Sequence, residues 1–299
     1  MTTIVQKQTQ TSDQNEQNNN KIKVQSNQKQ IPFKNGTLYS QTPYSTVYQS
    51  FDLNTGKQYL VKSLKLTPTQ NSINQKMIYK SIEKQFAQLR KLRNRNLVKY
   101  INSQINYSSQ QIQIIYEFVP GGSISHMIKK FGPFNEKIIS KYVGQILQGL
   151  EYLHKNNIIH KEIKGSNALI DTDGTIKLTN FGIQKNLFLN KQNNEQLYNK
   201  SPEQYEKQQF NTKTDVWDVG CLVIQMLTGV SPFRNLQKIQ IPDKISVDCQ
   251  EFLQKCLKDN ACERSSISEL MQTKFIQQDK SIIYIIINNF YKKIIYRFK

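Results

Sequence analysis

An α+β fold in two lobes, a small β-rich lobe ahead of a larger helical one, is what this sequence predicts. Three observations carry that expectation. Two strand-like runs, STVYQSF (45–51) and KQYLVKSL (57–64), flank the turn-forming DLNTG and read as a hairpin. Over 135–155, Ile139, Tyr142, Val143, Ile146, Leu147, Leu150 and Leu153 mark one apolar helix face. Residues 215–228, DVWDVGCLVIQMLT, are apolar nearly all round, the pattern of a helix buried on every side.

Residues 1–33 read as a Gln/Asn-rich tail with no aromatic residue before Phe33. Such a segment cannot bury enough apolar surface to offset its chain entropy, and disorder is the expectation. The folded domain is expected over 34–276. Its first lobe, about 34–118, holds the hairpin and a helix over 73–92, with Ile73, Met77, Ile82, Phe86, Leu89 and Leu92 at helical spacing. The buried strand IQIIYEFV (112–119) closes that lobe, and PGG (120–122) ends it as a hinge. The second lobe, about 123–276, opens its long helix at the N-cap Asn135 and adds helices at 246–257 and 265–272. Residues 277–299 form an aliphatic, aromatic and basic extension. It is expected to pack on the domain or stay disordered, and contact with a membrane surface is the alternative.

The formal charge is +19, from 41 basic and 22 acidic residues. The lysines are spread along the chain and form no arginine-rich arm, so nucleic acid is not an expected partner. No apolar run approaches the ~18 residues a membrane span requires. The four cysteines, Cys221, Cys249, Cys256 and Cys262, make no CxxC pair and have no histidine at zinc spacing. Reduced, mostly buried thiols and a cytoplasmic location are the expectation.

The chemistry-bearing residues come in spaced motifs. IIHKEIKGSNALI (158–170) is followed by KLTNFG (177–182), and FVPGGSISHMIKKFGPF (118–134), SPE (201–203) and DVWDVGCLVIQMLTGVSPF (215–233) flank them. In this order, over about 34–276, the chain resembles a eukaryotic protein kinase domain of the MAP kinase kinase kinase group. The resemblance implies a bilobal kinase fold, ATP and Mg²⁺ as cofactors, and protein partners in a kinase cascade. It implies ATP-site positions at Val47, Leu60, Lys62, Glu117, Val119, Asn167, Leu169 and Asn180. It puts Glu162 at the base position with Lys164 beside it, and Asn167 and Asn180 at the metal. Glu203 and Arg264 would form a buried ion pair, and Asp215 would brace the catalytic loop.

Measured against that family, many of the ATP-handling positions are altered. Ser40, Thr42 and Ser45 stand at the three glycines of the phosphate loop, where a Cβ restricts close backbone approach. Leu60 replaces the small alanine that roofs the adenine, and Gln85 replaces the glutamate that pairs with Lys62. Lys161 replaces an arginine. Glu162 replaces the catalytic aspartate and carries its carboxylate farther out, where errors of ~1 Å can lower a rate by about a hundredfold. Asn180 replaces the aspartate that holds Mg²⁺, an ion that favours charged oxygen ligands. Gln196 replaces a bridging threonine, and 183–200 offers Tyr198 as its one hydroxyl. Only RNLQKIQIPDKIS follows SPF, where the family has a longer docking segment.

The reading that gathers these departures is a pseudokinase, a signalling scaffold or allosteric binding module with little or no phosphotransfer. The alternative is an atypical active Ser/Thr kinase that transfers the ATP γ-phosphate to protein hydroxyls, with Glu162 as a displaced base. A nucleotide-binding switch without catalysis is the third.

Overall fold

The computed structural model describes residues 31–43, 45–65, 72–106, 109–182, 201–207, 210–232 and 239–277. The expectations for the tail before residue 31, for Gln196 and Tyr198 within 183–200, and for the extension beyond 277 lie outside the described residues.

Five antiparallel strands make the small lobe: β1 (Phe33–Gln41), β2 (Ser45–Asp52), β3 (Gln58–Lys65), β4 (Tyr100–Asn106) and β5 (Gln111–Glu117), ordered β1-β2-β3-β5-β4. The hairpin is β2–β3, with Val47 opposite Lys62 and Gln49 opposite Leu60. Its turn forms because Asp52 Oδ1 accepts the N–H groups of Asn54 (2.8 Å) and Thr55 (3.2 Å) while Gly56 adopts φ 69°.

Helix α1 (Ser72–Leu89) packs Ile82, Phe86 and Leu89 into the main core. Phe86 stacks on Tyr100 at 5.6 Å, and Tyr100 meets Tyr116 edge-on at 6.1 Å. The helix ends three residues before the expected Leu92. There the N–H groups of Lys91 and Leu92 bond back to Gln88 and Leu89, an i−3 turn, and Leu92 stays buried beyond the helix. Met77, expected on the apolar face, is 67% exposed. A smaller cluster of Tyr59, Val61 and Ile115 is covered by Ile31, Phe33 and Ile101, so packing starts three residues ahead of position 34.

The large lobe contains α2 (Ile124–Phe131), α3 (Glu136–Lys155), the short pair β6 (Ala168–Ile170) and β7 (Ile176–Leu178), α4 (Pro202–Lys207), α5 (Thr212–Thr228), α6 (Val247–Cys256), α7 (Ile267–Met271) and α8 (Lys274–Gln277). Asn135 caps α3 by accepting the Ile138 N–H at 3.0 Å. α5 is the central helix, with Thr214 through Ile224 and Met226 all buried. A reciprocal capping box between Asn211 and Thr214 starts it, and Gly229 in the left-handed region (φ 82°) ends it. Cys221, Cys249 and Cys256 are buried, and Cys262 is exposed. No helix among the described residues is long and apolar enough to cross a membrane.

Close packing at the hinge and backbone hydrogen bonds to β7 help to join the lobes at the cleft. A Cβ on Gly121 would lie 2.2 Å from the Ile170 carbonyl oxygen, so the hinge needs glycine there to lie against β6. On the other side, Val98 donates its N–H to the Leu178 carbonyl and Asn96 accepts the Leu178 N–H, both at 2.8 Å.

Candidate functional site

The floor of the cleft hangs from α5. Asp215 is fully buried and accepts the N–H groups of His160 (Oδ2, 2.9 Å) and Lys161 (Oδ1, 2.8 Å), with His154 Nε2 also 2.7 Å from Oδ2. This hold accompanies a left-handed Lys161, φ 71°. One turn along α5, Asp218 accepts the Ile163 N–H at 3.1 Å. Burial, and then the charge of Asp215, push the Asp218 carboxyl well above the usual carboxylate range. The sequence pointed to Asp215 but not to His154 or Asp218. The available signal was a second acid at i+3 in a helix otherwise almost wholly apolar.

From that floor a line of hydrogen bonds crosses the cleft. Lys62 Nζ, on β3, donates to Asn180 Oδ1 at 3.0 Å, and Asn180 Nδ2 donates to Asn167 Oδ1 at 2.8 Å. Asn167 Nδ2 donates to the Glu162 backbone carbonyl (2.9 Å) and to its Oε2 (3.2 Å), and Lys164 Nζ meets Glu162 Oε1 at 2.8 Å. Lysine can only donate and the Glu162 oxygens can only accept, so one orientation of both amides satisfies the line. Asn180 sits at φ 65°, a conformation asparagine tolerates better than most residues. The structure thus brings together Lys62, Asn180, Asn167, Glu162 and Lys164. Phe181 is buried next to them, its ring 6.1 Å from that of His160. Among the described residues no three His, Cys, Asp or Glu side chains gather as a metal-holding group.

The upper wall carries apolar side chains. Leu60 and Leu169 are half-buried against the main core, and Val47 is half-buried on β2. The β1–β2 turn bonds to itself: Thr42 N–H donates to the Ser45 carbonyl at 2.8 Å, and Ser45 N–H donates to Thr42 Oγ1 at 3.0 Å. Two backbone donors that a phosphate-cradling loop would offer outward are therefore already engaged. At the mouth, Tyr39 meets Phe118 edge-on at 6.1 Å.

At the hinge, Val119 is buried and Glu117 turns its side chain toward the large lobe. Glu117 Oε1 accepts from Lys177 Nζ and from the Lys99 N–H, both at 2.9 Å, and Lys177 also lies 3.4 Å from Asp171 Oδ2. Burial lowers the basicity of Lys177. The hydrogen bond and charge of Glu117, helped by Asp171, outweigh it and hold the lysine above its ordinary pKa.

Below the site, Arg264 is 1% exposed and grips Glu203 through two parallel bonds of 2.7 Å. Its remaining donors reach the carbonyls of Lys258 (2.8 Å), Lys213 (3.0 Å) and Asp259 (3.2 Å), and its guanidinium lies 4.8 Å from the Trp217 ring centroid. Burial raises the Glu203 carboxyl, but the Arg264 bonds and the local N–H donors outweigh that and bring it below its usual range.

The family described as "Protein kinase domain" matches residues 41–276 of the chain. The chain is 32% identical over 266 residues to "Mitogen-activated protein kinase kinase kinase A" of Dictyostelium discoideum, covering 82% of this chain and 28% of that protein. It is 33% identical over 267 residues to "Mitogen-activated protein kinase kinase kinase 2" of Arabidopsis thaliana (82% and 41%). With "Serine/threonine-protein kinase STE11" of Saccharomyces cerevisiae it shares 36% over 223 residues (68% and 31%). The matched region is thus well under half of each of these relatives.

Proposed function

The chain belongs to the protein kinase family, and we propose that within it the chain serves as a pseudokinase: a kinase-fold scaffold or binding module with little or no phosphotransfer. The domain over 34–276 is the working unit, and its partners are proteins of a kinase cascade in the cytoplasm, in keeping with its MAP kinase kinase kinase relatives.

One observation carries the reading. At the two metal positions, Asn180 and Asn167 are hydrogen-bonded to each other at 2.8 Å, with an N–H pointing at the oxygen that would face a metal. The family's Mg²⁺ does not fit this donor set. The ion would have to break into the Asn180–Asn167 bond, and it would receive two neutral carbonyls, one of them already accepting from Lys62, in return. The half-buried Leu60 and the engaged N–H groups of Thr42 and Ser45 add to this on the adenine and phosphate sides.

A second reading, the atypical active kinase, is favoured by the contact between Glu162 and Lys164 at 2.8 Å, which keeps a carboxylate and a lysine side by side in the catalytic loop. One experiment separates the two. Purified chain is tested for a thermal shift with ATP and Mg²⁺ or Mn²⁺, and for γ-phosphate transfer to a generic protein substrate. The expected result is no shift beyond the scatter of the apo protein and no transfer. Transfer that disappears on Asn180→Ala would overturn the pseudokinase reading.

A further inference from the structure

We propose that a basic stripe along α3, made by Lys137 and Lys141 of that helix with Arg93 and Arg95 of the α1–β4 connection, is a docking surface for an extended, carboxylate-rich segment of a partner protein. The proposal rests on the proposed function in one respect, that the chain's partners are proteins.

The sequence concentrates arginine at this place. Three of the chain's six arginines, Arg90, Arg93 and Arg95, fall within RKLRNR (90–95), a run with no acidic residue. Arginine offers a carboxylate a planar fork of donors that lysine lacks. Arg90 is half-buried and donates to Asn102 at 2.9 Å, whereas Arg93 and Arg95 are exposed. The fold then sets this connection against α3. Gln145 Oε1 accepts Asn96 Nδ2 at 3.1 Å and the Ile176 N–H at 2.9 Å, so the α1–β4 connection, α3 and β7 meet at one side chain. Beside that joint Arg95 Nη2 donates to Thr175 Oγ1 at 3.2 Å. Two turns further along α3, the Arg93 N–H donates to the Tyr152 hydroxyl at 3.0 Å. Lys141 lies one turn before Gln145 on the same face, and Lys137 one turn before that.

The neighbouring acids are committed elsewhere. Asp173 accepts the Thr175 N–H and hydroxyl, both at 2.9 Å. Asp171 lies 3.4 Å from Lys177, Glu136 accepts the Ser246 N–H at 2.8 Å, and Glu151 meets Lys155 at 3.2 Å. Among the described residues none of the four cations forms an ion pair. Burial, and then the charge of Arg95, hold the Lys141 amine below its ordinary pKa, and Asp173 only partly offsets this. An arriving carboxylate relieves that repulsion. The spacing favours an extended chain. Lys137 and Lys141 stand roughly 6 Å apart along the helix axis, close to the ~6.6 Å between alternate side chains of a strand. From Lys137 to Tyr152 the stripe runs roughly 22 Å, the length of about seven extended residues. A nucleic-acid duplex carries a charge every ~1.7 Å, far denser than this row of cations.

The test is fluorescence anisotropy of a labelled peptide of alternating Glu and Ser, titrated with the full chain at low salt. A DNA duplex of equal charge is titrated in parallel. The unaltered chain is expected to bind the peptide at micromolar concentration and more tightly than the duplex. Arg95→Gln with Lys141→Gln is expected to raise the peptide Kd by roughly tenfold. Lys129→Gln with Lys130→Gln makes the same change of charge on α2, and it is expected to alter the Kd by less than about twofold. Should the first pair of changes impair folding, Lys137→Gln with Arg93→Gln carries the same decision. The proposal is overturned if the peptide does not bind below millimolar concentration, if both paired variants weaken it equally, or if the duplex binds more tightly and loses affinity with the Arg95 and Lys141 changes. Phosphotransfer by the chain would defeat the pseudokinase reading and leave this measurement standing, and failure of the peptide to bind would leave that reading untouched.

Discussion

Two polar groupings, the Glu203–Arg264 pair and the line through the cleft, are built from different chemistry. Below the site, Glu203 and Arg264 keep full charges, matched in two bonds of 2.7 Å and backed by three carbonyls. In the cleft, the central positions are amides, Asn167 and Asn180, with Lys62 on one side of them and the Glu162–Lys164 pair on the other. A buried charge needs a fixed counter-charge, and the frame supplies one from its own chain. The cleft of a working kinase leaves that role to metal and phosphates. Asn180 brings no charge of its own to that place. The comparison separates what the fold requires from what phosphoryl transfer requires.

That separation can be broken or sharpened by measurement. The largest expected effect is in the frame. Arg264→Ala empties a fully buried site and leaves the largely covered Glu203 without its partner; it is expected to lower stability by about 3 kcal/mol or more, a fall in Tm of roughly 10 °C. A fall of under a few degrees would show that the frame tolerates loss as easily as the cleft. The same pair gives the acid limb of the stability curve. The Glu203 carboxyl is depressed in the folded chain, so its contribution is complete above the ordinary carboxyl value of 4.5 and is lost as pH falls through the lower folded value. Denaturant titrations at stepped pH should show this loss, and Glu203→Gln should lack it. In the cleft, Asn180→Ala is expected to lower stability by only about 1–2 kcal/mol, the cost of leaving the buried Asn167 oxygen, an uncharged acceptor, without its donor. Equal losses from Arg264→Ala and Asn180→Ala would erase the contrast. The smallest change is Leu60→Ala, about 1 kcal/mol for a half-buried side chain. It should not create a thermal shift with Mg²⁺–ATP. If it does, the roof and not the amide pair is what excludes nucleotide.

Much of this architecture was legible in the sequence where periodicity and caps agree. The apolar face of α3 with its Asn135 cap and the all-round burial of α5 follow from side-chain spacing alone. The strands β1 and β4 do not, because FKNGTLYSQ and YINSQIN carry little alternation and take their pairing from β2 and β5. In the site, motif spacing located Lys62, Asn167 and Asn180. It could not give the sense of the bonds between them. Asn180 read as a poor metal ligand, and what it does in the structure is donate to Asn167. Likewise Thr42 read as a lost glycine, whereas its hydroxyl accepts the Ser45 N–H. Glu117 was an ATP-site position from the family alone, and its side chain proves to be paired with Lys177 across the hinge. These facts depend on long-range placement that a one-dimensional pattern does not encode.

The amide pair also bears on what a single base change could do to the cleft. Asparagine and aspartate codons differ by one base, so position 180 is within easy mutational reach of an acid. Yet that first step would set two oxygens against each other at 2.8 Å in a site still roofed by Leu60 and with the Thr42–Ser45 turn still closed on itself. Such a variant loses the amide bond to Asn167 while Leu60 and the turn stay as they are. A single change at 180 thus acts on the Asn167 contact first, before it meets the roof or the β1–β2 turn.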